Sequence, residues 1–110
     1  MSKREIIWVV CNTHNIKEAD KIGMAALKAR LCACYGIIPR IKSVYYWPPK
    51  SKKLERSRGP LLTLETLEKN YGKISKLIKQ LHSDDVPFIG QWEMENVSPD
   101  FYAWLKGEMK

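Results

Sequence analysis

The six residues Ile6-Ile7-Trp8-Val9-Val10-Cys11 narrow what this chain can become more than any other feature. Rich in Ile, Val and Trp, they predict a β-strand. Side chains alternate across a strand, so Ile6, Trp8 and Val10 share one face and Ile7, Val9 and Cys11 the other. Both faces are apolar, and such a strand must be covered from both sides. The 110 residues suffice for one domain, 1–110, yet a chain this short struggles to bury that much apolar surface alone.

The rest of the pattern supplies the cover. Asn15 is a good N-cap, answered three positions on by Glu18. Ile16, Ala19, Ile22, Ala26 and Leu27 then form an apolar helical stripe that fades near Arg30 and Leu31. Gly23 inside it costs roughly 1 kcal/mol relative to alanine, which predicts close packing there. Ile37-Ile38-Pro39 and then Ile41 to Trp47 predict a long second strand, with Pro39 at an edge or bulge and Pro48-Pro49 as the stop. Residues 50–59 carry Lys50, Lys52, Lys53, Arg56 and Arg58 and are expected to form a basic loop. Leu61-Leu62-Thr63-Leu64-Glu65-Thr66 predicts the third strand, and Thr66 is expected to cap a second helix bearing Leu67, Tyr71, Ile74, Leu77, Ile78 and Leu81. After Asp84-Asp85, a fourth strand places Val86, Phe88, Gly90, Trp92 and Met94 on one face. Ser98-Pro99-Asp100 opens a last helix with Phe101, Trp104 and Leu105, which Gly107 is expected to stop.

Strand, helix, strand, strand, helix, strand is the ferredoxin-like βαββαβ order, an α+β fold with a four-stranded antiparallel sheet, here with an extra C-terminal helix. Two helices cover one sheet face and leave Trp8, Tyr45, Tyr46, Trp47 and Trp92 too much aromatic surface for water. Self-association is the simplest way to hide it.

No run of roughly 18 apolar residues is present, so no membrane partner is expected. The charged start Met1-Ser2-Lys3-Arg4-Glu5 leads into an apolar run shorter than a signal-peptide core, with no small-residue cleavage site after it. Together with three cysteines that cannot all pair, this makes a reducing, cytoplasmic location the expectation. The net charge of +7 favours anionic partners without identifying one.

Four ordered motifs carry a family resemblance. Arg30-Leu31-Cys32-Ala33-Cys34 with Ile37-Ile38-Pro39 resembles the RLAAC…IIP of the CutA (divalent-cation tolerance) proteins. Ser43-Val44-Tyr45-Tyr46-Trp47 with Lys50 is similar to that family's aromatic strand and following lysine. Leu81-His82 with Val86-Pro87, and Pro99-Asp100-Phe101-Tyr102-Ala103-Trp104-Leu105, match two more of its motifs. The correspondence runs over residues 9–50 and 66–105. It implies a tight homotrimer joined by strand-to-strand contacts and akin in architecture to the PII proteins, which bind effectors between subunits. It also implies a link to copper and other divalent cations, and no catalytic activity. The chain departs from the pattern where the family's HPY becomes His82-Ser83-Asp84, where Phe88 replaces a glutamate and where the loop is longer and basic.

Several residues follow as candidates. The resemblance carries Cys11 and His82 to a proposed copper site, and thiolate with imidazole is a suitable donor pair for copper or zinc. A third ligand would come from Glu93, Glu95 or a neighbouring subunit. The alternative is that Cys11 packs as a small apolar residue and His82 is satisfied by hydrogen bonds at a helix end. Lys50 matches a lysine near the family's effector cleft, where with Tyr46 and Trp47 it would take a small anionic effector. Tyr45, Tyr46 and Trp47 also resemble the family's aromatic strand and are expected as trimer and core contacts rather than a stacking platform. Cys32 and Cys34 are spaced too closely for an ordinary structural zinc site and lack a second pair, so core packing is expected. His14 lies in the turn before the first helix, either solvated or part of an anion or metal site at the helix N-terminus.

Two other function classes are weaker. RNA-recognition domains share this element order but need exposed aromatics on the third strand, where this chain has Leu61 to Thr66, so nucleic acid is not the expected partner. A cysteine nucleophile needs a base within reach, and only two histidines are present.

Overall fold

The computed structural model describes residues 5–109, with Arg40 described by its backbone alone. Residues 1–4, part of the charged start, lie outside the described residues. The elements are β1 (Ile6–Asn12), α1 (Ile16–Lys28), β2 (Cys34–Tyr46), β3 (Leu54–Leu67), a 3-10 turn (Glu68–Asn70), α2 (Tyr71–Leu81), β4 (Ile89–Glu93) and α3 (Pro99–Glu108). All strand pairings are antiparallel and the sheet runs β2-β3-β1-β4, the ferredoxin-like arrangement with an added helix.

The main core lies between the sheet and its two long helices. Ile7, Val9 and Cys11 of β1 and Leu62 and Leu64 of β3 meet Ala19, Ile22 and Ala26 of α1 and Ile74 and Ile78 of α2, all fully buried. Gly23 is needed for this closeness, since a Cβ there would sit 2.4 Å from the Tyr35 ring. Tyr35 is anchored in that position by its hydroxyl, which donates to Asp20 at 2.9 Å. On the opposite face Ile6 and Leu67 pack against Leu105 of α3. The short α3 covers only that end. Trp8 and Trp92 stand opposite each other across the β1–β4 ladder, ring centroids 6.3 Å apart, and Phe88, Trp92 and Ile38 remain exposed.

Several boundaries depart from the sequence expectation, the second strand starting at Cys34 rather than Ile37 and ending at Tyr46 rather than Trp47. Residues 50–59 are not one loop: β3 begins at Leu54, so Arg56 and Arg58 lie on a strand paired with β2. Thr66 does not cap α2. Its hydroxyl donates to the Leu31 carbonyl at 2.6 Å and accepts from Asn70 at 3.2 Å, tying the end of α1 to the end of β3. Val86 and Phe88 precede β4 and are solvent-facing rather than strand residues. Gly107 lies within α3, which runs to Glu108, while Ser98 caps that helix as expected by accepting from the Phe101 N–H.

Candidate functional site

β1 delivers its last residues to a turn held by two bonds to one acceptor. Thr13 donates its N–H (3.0 Å) and its hydroxyl (2.9 Å) to the Pro60 carbonyl. The turn then places His14 and the N-cap Asn15, whose side chain accepts from the Glu18 N–H at 2.8 Å. Glu18 reaches back to the His14 N–H rather than to that of the cap, a displaced capping box, with its Oε1 at 2.9 Å. Its other oxygen accepts from the Ser83 N–H, also at 2.9 Å, in the loop after α2. One carboxylate thus joins two loops that are 65 residues apart in sequence.

His82 ends α2 and turns inward, its side chain only 1% exposed. Its Nε2 lies 2.6 Å from the Asn12 carbonyl and its Nδ1 2.9 Å from the Asp84 N–H. A carbonyl requires a donor and an N–H an acceptor, so the proton sits on Nε2 and the lone pair on Nδ1. Above this ring, His14 Nε2 meets Asp84 Oδ1 at 2.7 Å, and the two imidazoles lie 6.0 Å apart. Cys11 is fully buried below, with Sγ 3.4 Å from the same Asn12 carbonyl.

These contacts set the charges. The Asp84 hydrogen bond holds His14 above its ordinary pKa. Burial pushes Glu18 up, but the bonds from His14 and Ser83 and the proximity of His82 outweigh it, leaving the carboxyl below its usual value. Burial, aided by the Glu18 and Asp84 charges, pushes the Cys11 thiol up to about 12.

A pH prediction follows from the signs. A histidine raised in the folded state contributes stability in full below its ordinary 6.5 and loses it as pH rises through the raised value. A carboxyl lowered in the folded state contributes above its ordinary 4.5 and loses that as pH falls through the lowered value. The junction of the two loops is therefore firmest between those limits. His14 and Asp84 are both about half exposed, so the ion pair is worth at most about 1 kcal/mol. Titration by NMR should show His14 changing charge above 6.5 and Asp84→Asn bringing it back down. An unmoved His14 titration in that variant contradicts the assignment.

The structure therefore brings Cys11 and His82 together, but in a form poorly suited to metal. Both ring nitrogens of His82 are committed to hydrogen bonds, and Cys11 is fully buried, its pKa pushed up to about 12. Among the described residues, no group of three or more His, Cys, Asp or Glu side chains converges as a metal site would require. Within one chain the pair supplies two donors, with no third joining them among the described residues. Cys32 is buried and Cys34 half-buried, as packing residues.

Lys50, Tyr46 and Trp47 lie elsewhere. Cys11 pairs with Leu62 of β3, whereas Tyr46 pairs with Leu54, eight residues along the same strand. At the rise of an extended strand that is roughly 26 Å. Tyr46 and Trp47 are 61% and 47% exposed at the far end of the β2–β3 arm, and Lys50 has the positive φ of a turn residue. Only a second subunit could bring the two groups of residues into one cleft. Sequence reasoning missed Glu18, Asn12 and Asp84 as parts of the junction. The capping spacing was the one signal for Glu18, and nothing local marks the other two.

A family model described as CutA1 divalent ion tolerance protein matches residues 7–108. The divalent-cation tolerance protein CutA of Pyrococcus horikoshii is 31% identical over 94 residues, covering 86% of this chain and 88% of that one. The mouse protein CutA is 26% identical over 91 residues, and there the chain spans 50% of its relative's length. A crystal structure of CutA1 from Pyrococcus horikoshii superposes with a TM-score of 0.85 at 29% identity, covering 94% of this chain and 98% of the other.

Proposed function

Since the chain belongs to the CutA1 divalent ion tolerance family, we propose that it works as a homotrimeric binding protein of divalent-cation tolerance. In this reading it is not an enzyme, and it takes a divalent cation such as copper, or a small anionic effector, in clefts between subunits. The observation that carries the reading is the apolar sheet face left without cover: Trp92 is exposed across the ladder from Trp8, and Phe88 and Ile38 are exposed as well. A second copy carries the same need, and closing a ring of copies removes that surface from water. Assembly would also bring the Lys50 end of one arm near the Cys11–His82 end of a neighbour, which a single chain cannot do. A protonated, buried Cys11 supports the non-catalytic part, because the thiolate is the nucleophile. Three unpaired thiols suit a reducing compartment such as the cytoplasm.

Light scattering and metal titration test this together. The expected mass is three times the 12.8 kDa of one chain. Copper or zinc should raise the melting temperature of the assembly as it saturates. Cys11→Ser should leave the copper affinity unchanged, because the site lies at the clefts and the buried thiol takes no part. A monomer at micromolar concentration removes the basis for inter-subunit clefts. Loss of copper binding in Cys11→Ser would move the site to the Cys11–His82 pair.

A further inference from the structure

The β2–β3 arm separates its residues by charge more cleanly than the sequence suggested. Register pairs Lys42 with Arg58, Val44 with Arg56 and Tyr46 with Leu54, and alternation puts these six on one face. All six are exposed, whereas on the other face Ile41, Ser43, Glu55, Ser57 and Gly59 are half-buried and Tyr45 is exposed. The tip adds Lys50, Lys52 and Lys53, also exposed. Residues 41–59 hold six cationic side chains and one acid, a net +5 in a chain of net +7. The acid, Glu55, is on the other face, where it meets Lys53 at 3.9 Å.

Lys42 directly opposite Arg58 is a like-charge cross-strand pair, which destabilises a hairpin. No acid on that face offsets it. A bound polyanion would. Arg56 and Arg58 are two residues apart, roughly 7 Å along the strand, so the cations form a row and not a point. Within that row stands Tyr46, with 61% of its surface open. A basic track interleaved with an exposed ring is the arrangement that holds unpaired nucleotides, with phosphates on the cations and a base stacked on the aromatic.

We infer that the Lys42–Arg56–Arg58–Tyr46 face of the arm binds single-stranded nucleic acid. The objection drawn from RNA-recognition domains concerns the sheet face, where Leu61 to Thr66 lack aromatics, and it does not touch the arm. Burying this face against its own copies would set like charges together, so the cations remain outward in the proposed trimer. The inference rests on neither Cys11 nor His82, and of the expected effector-cleft residues it uses Tyr46.

The test uses the full chain and a fluorescein-labelled 20-nucleotide oligouridine, read by anisotropy over a range of salt. Binding should weaken steadily with salt. Replacing Lys42, Arg56 and Arg58 by Gln should weaken it at least tenfold at low salt and reduce the log–log salt slope by about 2, given roughly 0.7 per single-strand phosphate contact. Tyr46→Ala should weaken it about tenfold with little change in slope, the size expected for one lost base stack. A control removing the same charge from the exposed side of α1, Lys17, Lys21 and Lys28 to Gln, should bind as wild type. The substituted residues are exposed, so matching melting curves verify the fold of each variant. The inference is overturned if the arm triple variant binds as wild type, or if the α1 control loses as much. Tighter binding to a duplex of the same length, or equal binding to phosphatidylserine vesicles, overturns it as well.

Discussion

Gly59→Ala is expected to lower the stability of this protein by roughly 3 kcal/mol, the upper end of what overpacking costs. A Cβ at that position would stand 2.1 Å from the Thr13 carbonyl oxygen and 3.2 Å from its carbon. Both are backbone atoms, so no side chain can swing aside. Nor can the turn withdraw easily, because Thr13 is tied twice to the adjacent Pro60 carbonyl. The strain would therefore be taken up by moving β1 against β3 or by opening the turn that carries His14. Gly72→Ala supplies the contrast. Nothing lies within 4 Å of a Cβ there, and the position is helical, so that variant should gain about 0.5–1 kcal/mol. Urea titration of the two variants checks both signs. A Gly59→Ala protein as stable as wild type would show that the turn has room the structure does not reveal.

Trp92→Lys should disperse the proposed assembly while leaving the subunit folded. Trp92 lies on the five-residue edge strand β4, is 47% exposed and packs tilted against Trp8, so the isolated subunit depends little on it. In an interface it would be a central aromatic contact. Truncating such an anchor commonly costs about 2–4 kcal/mol, on the order of 30- to 1,000-fold in a dissociation constant. A charged ammonium placed on the same apolar face adds repulsion between copies. Light scattering should then report single chains at concentrations where the wild type is assembled, with circular dichroism unchanged. Persistence of the wild-type mass would mean that the aromatic face is not where copies meet.

The element order and both long helices were legible in the residues because each has an apolar face to bury. Ile6 to Cys11 declared a strand needing two covers; α1 and α2 supply one, and α3 covers one end of the other face. Asn15 and Ser98 announced their caps through local chemistry. The first half of β3 was illegible. Leu54-Glu55-Arg56-Ser57-Arg58-Gly59 has no apolar alternation, and the strand exists because β2 offers it a ladder of backbone hydrogen bonds. Thr66 misled for a related reason, since a hydroxyl that can cap a helix can equally donate to a carbonyl brought from elsewhere.

The candidate site divides along the same line. The residue types at Cys11, His82, Lys50, Tyr46 and Trp47, and the family they suggest, were present in one dimension. Which of them meet was not. Asn12 and His82 are 70 residues apart, as are His14 and Asp84, and only the closed sheet with its packed helices sets those pairs at bonding distance. Sequence alone determined the periods of burial and therefore the elements and their order, because hydrophobic spacing is a local property of the chain. Tertiary structure alone decided the protonation of Cys11, the occupied nitrogens of His82 and the one-sided charge of the arm, because burial and register depend on partners far away in sequence.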